Sequence, residues 1–129
     1  MPLYICNSIK GTIPATAKSR IATEITDIHC QLTGAPRTFV HVFFLEDATM
    51  PPLSDYSVML MGSIRHGRDD DTKISLTTKM SAAIAHHASL ENEKIGMTLL
   101  DVPASWVMEG GEVLPEPGEE EQWLKHHQS

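Results

Sequence analysis

Five residues of this 129-residue chain have types and positions that suit chemistry: Pro2, His29, Arg65, Arg68 and Glu109. A small residue after Met1 permits removal of the initiator, which would leave Pro2 as a free secondary amine. The ordinary α-amino pKa is about 7.7–8.0, and burial or nearby cations lower it further, so such an amine can move protons near neutral pH. Arg65 and Arg68 share the string SIRHGRDD, at the end of an apolar run and just before a helical pattern. Two guanidinium groups there can hold a carboxylate by paired, charge-assisted hydrogen bonds. His29, in EITDIHCQL, flanks an apolar helical stripe and can donate a hydrogen bond to an anion. Glu109 follows Trp106 and precedes Gly110-Gly111; a carboxylate beside apolar groups can gain a raised pKa and activate water.

Each residue also has a plain structural reading. Met-Pro is a common start, the arginines can simply neutralise Asp69, Asp70 and Asp71, His29 can be a surface or half-buried helix residue, and Glu109 can be one more acid of an acidic tail. Other chemistries find no support. His86 and His87 are adjacent rather than four apart, no His, Cys or Asp cluster has zinc spacing, and no metal ligand set is expected. There is no GxGxxG, no GxxxxGK and no GxSxG, which removes most nucleotide enzymes and serine hydrolases.

The elements that must position these residues repeat. Leu3 to Ser8 alternates as a strand. From Pro14 to Leu32 the period becomes helical, with Ala17, Ile21, Ile25, Ile28 and Leu32 on one stripe, Pro14 in the first turn, and Gly34 and Pro36 as stop signals. Thr38 to Leu45 is β-branched and aromatic and reads as a largely buried strand. After a loop with Pro51 and Pro52 the theme returns: a strand from Ser57 to Arg65, a helix from Asp69 to about Ala88 with Leu76, Met80, Ala83, Ile84 and His87 inward, and a strand from Ile95 to Leu100. Paired strand starts, 2 to 38 and 57 to 95, are almost equally spaced. Each half therefore reads as a βαβ unit with a right-handed crossover between parallel strands. The expected fold is α+β: one domain over 1–129, with repeat one at about 2–47, repeat two at about 57–101 and a docking segment at 102–129. Its four-stranded mixed sheet carries both helices on one face. Strands this apolar on both sides predict that another subunit covers the second face. Pro- and Gly-rich punctuation after Val102 leaves room for a short hairpin strand at Val113-Leu114 and a terminal helix from Glu119 to His127, docked through Trp106 and Trp123.

The chain's net charge is −7, which speaks against nucleic acid and anionic membranes as partners. Residues 109 to 129 hold six acids against Lys125, whereas the remainder is nearly balanced. Apart from Glu109, these glutamates read as a solvated face. Two cysteines, Cys6 and Cys30, make no disulfide framework and read as packed thiols. No apolar run approaches the ~18–20 residues of a membrane helix, and the first ten residues lack a signal-peptide pattern. A reducing, cytoplasmic location is expected.

In this order, Pro2, EITDIH, IRHGR and VPASWVMEGGEVLPEPGEEEQW resemble the tautomerase superfamily, in particular its cis-3-chloroacrylic acid dehalogenase-like members. The resemblance spans essentially the whole chain. It implies a β-α-β tautomerase-like trimer that uses no metal or organic cofactor and takes a small anionic carboxylic acid. Pro2 would transfer a proton at a substrate carbon, Arg65, Arg68 and His29 would bind and polarise the carboxylate, and Glu109 would position or activate water. The implied reactions are water addition to an unsaturated acid with loss of halide, and keto–enol proton shuttling on a 2-oxo acid. One position departs from the pattern. The family's active-site tyrosine falls on Thr98, shorter and far less acidic than a phenol, so the water-activating half of the site is incomplete. Weak hydratase or dehalogenase activity with tautomerase activity is therefore expected. A non-catalytic trimeric interaction protein of the macrophage migration inhibitory factor type is the alternative.

Overall fold

A computed structural model describes residues 1–46 and 55–127. The loop with Pro51 and Pro52 lies outside the described residues. Strand β1 (Leu3–Ser8) leads to helix α1 (Ala15–Thr33), which begins one residue after Pro14, its N-cap, and closes on Gly34. Its buried side chains are Ala17, Ile21, Ile25, Ile28 and His29, with Leu32 packed at the core's edge. The chain then makes a single 3-10 turn at Arg37–Phe39 before β2 (His41–Glu46), so the strand starts later than the β-branched run suggested. Nor is it largely buried. His41, Phe43 and Leu45 are exposed, because β2 is an edge strand with helices on one side only.

The second half repeats the plan. Strand β3 (Val58–Arg65) leads to helix α2 (Asp70–Ala88) and β4 (Ile95–Val102). Helix α2 starts firmly because the Asp69 side chain accepts a hydrogen bond from the Thr72 N–H (2.7 Å), with Asp70 and Asp71 in the first turn favouring the helix dipole. His87, expected on the inner face, instead bridges the helices through Glu24 of α1 (2.6 Å).

The sheet order is β2-β1-β3-β4, with β1 parallel to β2, β3 parallel to β4, and β1 antiparallel to β3. This is the expected four-stranded mixed sheet of two βαβ units. Tyr4, Cys6, Leu60 and Ile64 pack with Ile21, Ile25, Leu76, Met80 and Ile84 into the main core on the helix side. The opposite face carries the register rows His41–Leu3–Ser63–Leu100 and Phe43–Ile5–Met61–Thr98. Phe43 is 56% exposed and Leu100 63% exposed on that face.

After β4 come a 3-10 turn at Ala104–Trp106, a small hairpin of β5 (Met108–Glu109) and β6 (Glu112–Val113), and helix α3 (Glu120–His127). The hairpin uses two strands where the sequence suggested one at Val113-Leu114. A second core ties this segment down: Phe39, Ala104 and Leu114 are buried, with Met1, Val107, Trp123 and Leu124 around them. The Phe39 and Trp123 rings meet edge to face at 5.7 Å, and the Trp123 indole donates to the Val113 carbonyl (2.8 Å). Trp106, by contrast, is 75% exposed and does not dock within the chain.

Candidate active site

Strand direction decides where the site forms. The start of β1, the start of β2, the end of β3 and the end of β4 all lie at one end of the sheet. The docked C-terminal segment closes over that end. Pro2, Arg65, Arg68 and Glu109, spread over more than a hundred residues, therefore share one neighbourhood, with His29 reaching it from α1.

Pro2 is fully buried, and its carbonyl accepts a hydrogen bond from the His41 N–H (3.0 Å). The Met1 amino group donates to the Glu109 carboxylate, which also lies 3.4 Å from His41 Nε2. Burial pulls the amino pKa below its ordinary value, Glu109 opposes that pull, and Arg65 adds to it.

His29 is buried on α1, and its Nδ1 lies 2.7 Å from the Tyr4 hydroxyl of β1. Desolvation first, then Arg68, Arg65 and the chain's amine, push its pKa down to about 3. His29 is therefore a neutral imidazole at physiological pH. The two rings meet edge to face at 5.7 Å.

The two arginines are placed differently. Arg65 ends β3 with a side chain only 1% exposed. Its Nη1 donates to the Pro115 carbonyl (2.6 Å), its Nη2 donates to Glu120 Oε1 (2.7 Å), and its guanidinium lies 5.5 Å from the Phe39 ring centroid. Glu120 is thus not part of a solvated face. Burial works to raise its carboxyl, but backbone N–H groups and Arg65 outweigh burial and hold it below the usual carboxylate range. Arg68 sits past the turn, which needs a left-handed residue and has Gly67 at φ +115°. Its Nη1 reaches the Thr33 carbonyl at 3.4 Å, and its buried Nε has no partner. Burial, then Arg65, lowers the Arg68 pKa, while Glu120 and Tyr4 oppose the shift.

Thr98 stands apart. It lies on the open sheet face in the row of Ile5 and Met61, one row beyond Leu3 and Ser63, and is exposed. Among the described residues no group of three or more His, Cys, Asp or Glu could hold a metal ion. Three participants were not singled out from the sequence: Tyr4, His41 and Glu120. Tyr4 carries a weak signal, a polar hydroxyl on the inward side of an alternating strand; the other two carry none.

A family model described as "Putative oxalocrotonate tautomerase enzyme" matches residues 1–128. The chain belongs to this tautomerase family. Among solved structures, N1, a member of the cis-3-chloroacrylic acid dehalogenase family, is 28% identical, with 95% of this chain and 90% of N1 covered at a TM-score of 0.87. A fused 4-OT described as an asymmetric trimer is 20% identical, with 86% and 94% covered at a TM-score of 0.74. The macrophage migration inhibitory factor of Toxoplasma gondii is 14% identical, with 88% and 98% covered at 0.68. The last two share the fold. No curated protein sequence matches the chain. Family membership supports a catalytic role in general, and the overall likeness to N1 agrees with the motifs of the sequence.

Proposed function

We propose that this tautomerase-family protein moves a proton on a small 2-oxo or unsaturated carboxylic acid through the secondary amine of Pro2, exposed once Met1 is removed. The observation that carries this reading is the pairing of the Met1 amino group, one residue before Pro2, with Glu109, 108 residues away, at the sheet end where Arg65 is buried. Burial lowers the pKa of the Met1 amine there while Glu109 opposes the shift, and a Pro2 amine in the same surroundings would exchange protons near neutral pH.

In tautomerisation, Pro2 takes a proton from the carbon next to the 2-oxo group and a proton returns to the oxygen, giving the enol. In hydration, Glu109 takes a proton from water, the water oxygen bonds to the far alkene carbon, and the Pro2 ammonium protonates the near carbon. Where that far carbon bears a halogen, the halohydrin then releases hydrogen halide to give an aldehyde. The carboxylate's cationic partner Arg68, with Arg65 behind it, draws electron density from the far carbon and favours the addition, while neutral His29 stands beside them. Thr98 supplies no phenol, so tautomerisation is the stronger activity and hydration or dehalogenation the weaker. No metal or organic cofactor takes part in this scheme.

The apolar side chains on the open sheet face and the trimeric fused 4-OT with the same fold support a homotrimer in which copies cover that face. The two free cysteines favour a reducing compartment, and the cytoplasm is the proposed location. No described helix is long and apolar enough to cross a membrane.

Monitoring phenylpyruvate and a panel of three-carbon acids by NMR tests the reading. Protein beginning at Pro2 should turn over at least one of them, and Pro2→Ala should lower that rate by about 10²-fold or more. Equal rates for Pro2→Ala overturn proline catalysis. Natural retention of Met1 with no turnover would favour the interaction-protein alternative.

A further inference from the structure

The charges of three cationic groups act on His29, and the partners of those groups differ. The chain's amine is matched by Glu109. Arg65 is matched by Glu120 and held by the Pro115 carbonyl. Arg68 has one long contact to a carbonyl and a buried Nε without a partner. A buried N–H left unmade is costly, so an oxygen that accepts from it is stabilised there. Of the two arginines, Arg65 is hydrogen-bonded to a carboxylate of the chain and Arg68 is not.

We propose that Glu120 is a specificity-determining residue: by neutralising Arg65 it limits the site to one carboxylate, bound through Arg68, and so selects monocarboxylic over dicarboxylic acids. The inference rests on the small-acid reading above and names the class of acid. A second carboxylate would enter beside Glu120 and Glu109 with no free cation to meet it, and an unpaired charge is expensive in a partly dry site. Displacing Glu120 from Arg65 is also opposed by its second anchor, since Glu120 Oε2 accepts a hydrogen bond from the Gly118 N–H (2.8 Å). Replacing the charge while keeping the shape, by Glu120→Gln, leaves an acceptor for Arg65 and frees its charge for a ligand.

Binding of acrylate and fumarate to the full chain by isothermal titration calorimetry tests this. Wild type should hold acrylate about tenfold or more tighter than fumarate, a comparison that needs no variant. Glu120→Gln, checked for an unchanged circular dichroism spectrum, should close most of that gap by tightening fumarate, and Glu120→Asp should keep it. Arg68→Gln should lose acrylate binding. Wild type that binds fumarate as tightly as acrylate overturns the inference, as does a Glu120→Gln protein that gains equally for both acids or for neither. Acrylate binding undiminished in Arg68→Gln overturns it as well. Wild type that binds neither acid overturns the small-acid reading itself, and this inference falls with it.

Discussion

The Tyr4 hydroxyl lies 2.7 Å from Nδ1 of His29, joining the first strand to the first helix through two buried rings. The contact holds the ring of a histidine that feels the charges of both arginines and the chain's amine. The ring stays neutral across the physiological range, because desolvation first, then the charges of Arg68, Arg65 and the chain's amine, push its pKa down to about 3.

Tyr4→Phe removes the phenol and leaves His29 Nδ1 buried without a partner. The expected cost is about 1–3 kcal/mol of stability, together with a rise in KM as the imidazole loses its orientation. Urea denaturation and steady-state kinetics measure the two effects.

His29 also predicts a pH dependence of stability. Its folded pKa, about 3, lies below the ordinary value of 6.5. Between these values the unfolded chain binds a proton that the folded chain refuses, so the His29 contribution is complete above pH 6.5 and is lost progressively as pH falls toward 3. Urea midpoints for wild type and His29→Gln should converge as the pH drops through that window. NMR should show no His29 titration between pH 5 and 8.

Arg65 and Arg68 should separate by their readouts. Arg65→Ala leaves Glu120 and the Pro115 carbonyl without their donor and removes the cation over Phe39. It should cost about 3–5 kcal/mol and loosen the C-terminal segment as well as lower turnover. Arg68→Ala, with its single long hydrogen bond, should lower turnover by orders of magnitude while stability changes by about 1 kcal/mol or less. Limited proteolysis near residues 115–120 distinguishes the two variants.

Gly62→Ala tests the packing behind the site. Gly62 lies opposite Tyr4 in the antiparallel register, and an added Cβ would stand 2.6 Å from Tyr4 Cε1 and 2.9 Å from Leu99 Cδ2. The Tyr4 ring must shift, so the variant should lose about 1–3 kcal/mol and part of its activity by breaking the bond to His29. A melting temperature within a degree of wild type would contradict it.

Local pattern sufficed for the repeated βαβ architecture. The 3.6-residue stripe on Ile21, Ile25 and Ile28, the Asp69 cap and the alternation of β1 are short-range signals, written in neighbouring residues. They failed where burial depends on distant chain. Thr38 to Leu45 is as apolar as a central strand, yet β2 lies at the sheet's edge, and only sheet order decides which strand that is.

The same division holds at the site. Residue type and order marked Pro2, His29, Arg65, Arg68 and Glu109 as candidates, each open to a plain structural reading by itself and pointing to one chemistry only in combination. Tertiary structure alone decided how their charges are matched. Glu120 looks like any other acid in GEEEQW until α3 folds back on Arg65, 55 residues earlier, and the His29 pKa falls to about 3 only when the core and the two arginines enclose it. Charge state depends on solvent exclusion and on partners brought from far along the chain, and neither is encoded in local spacing.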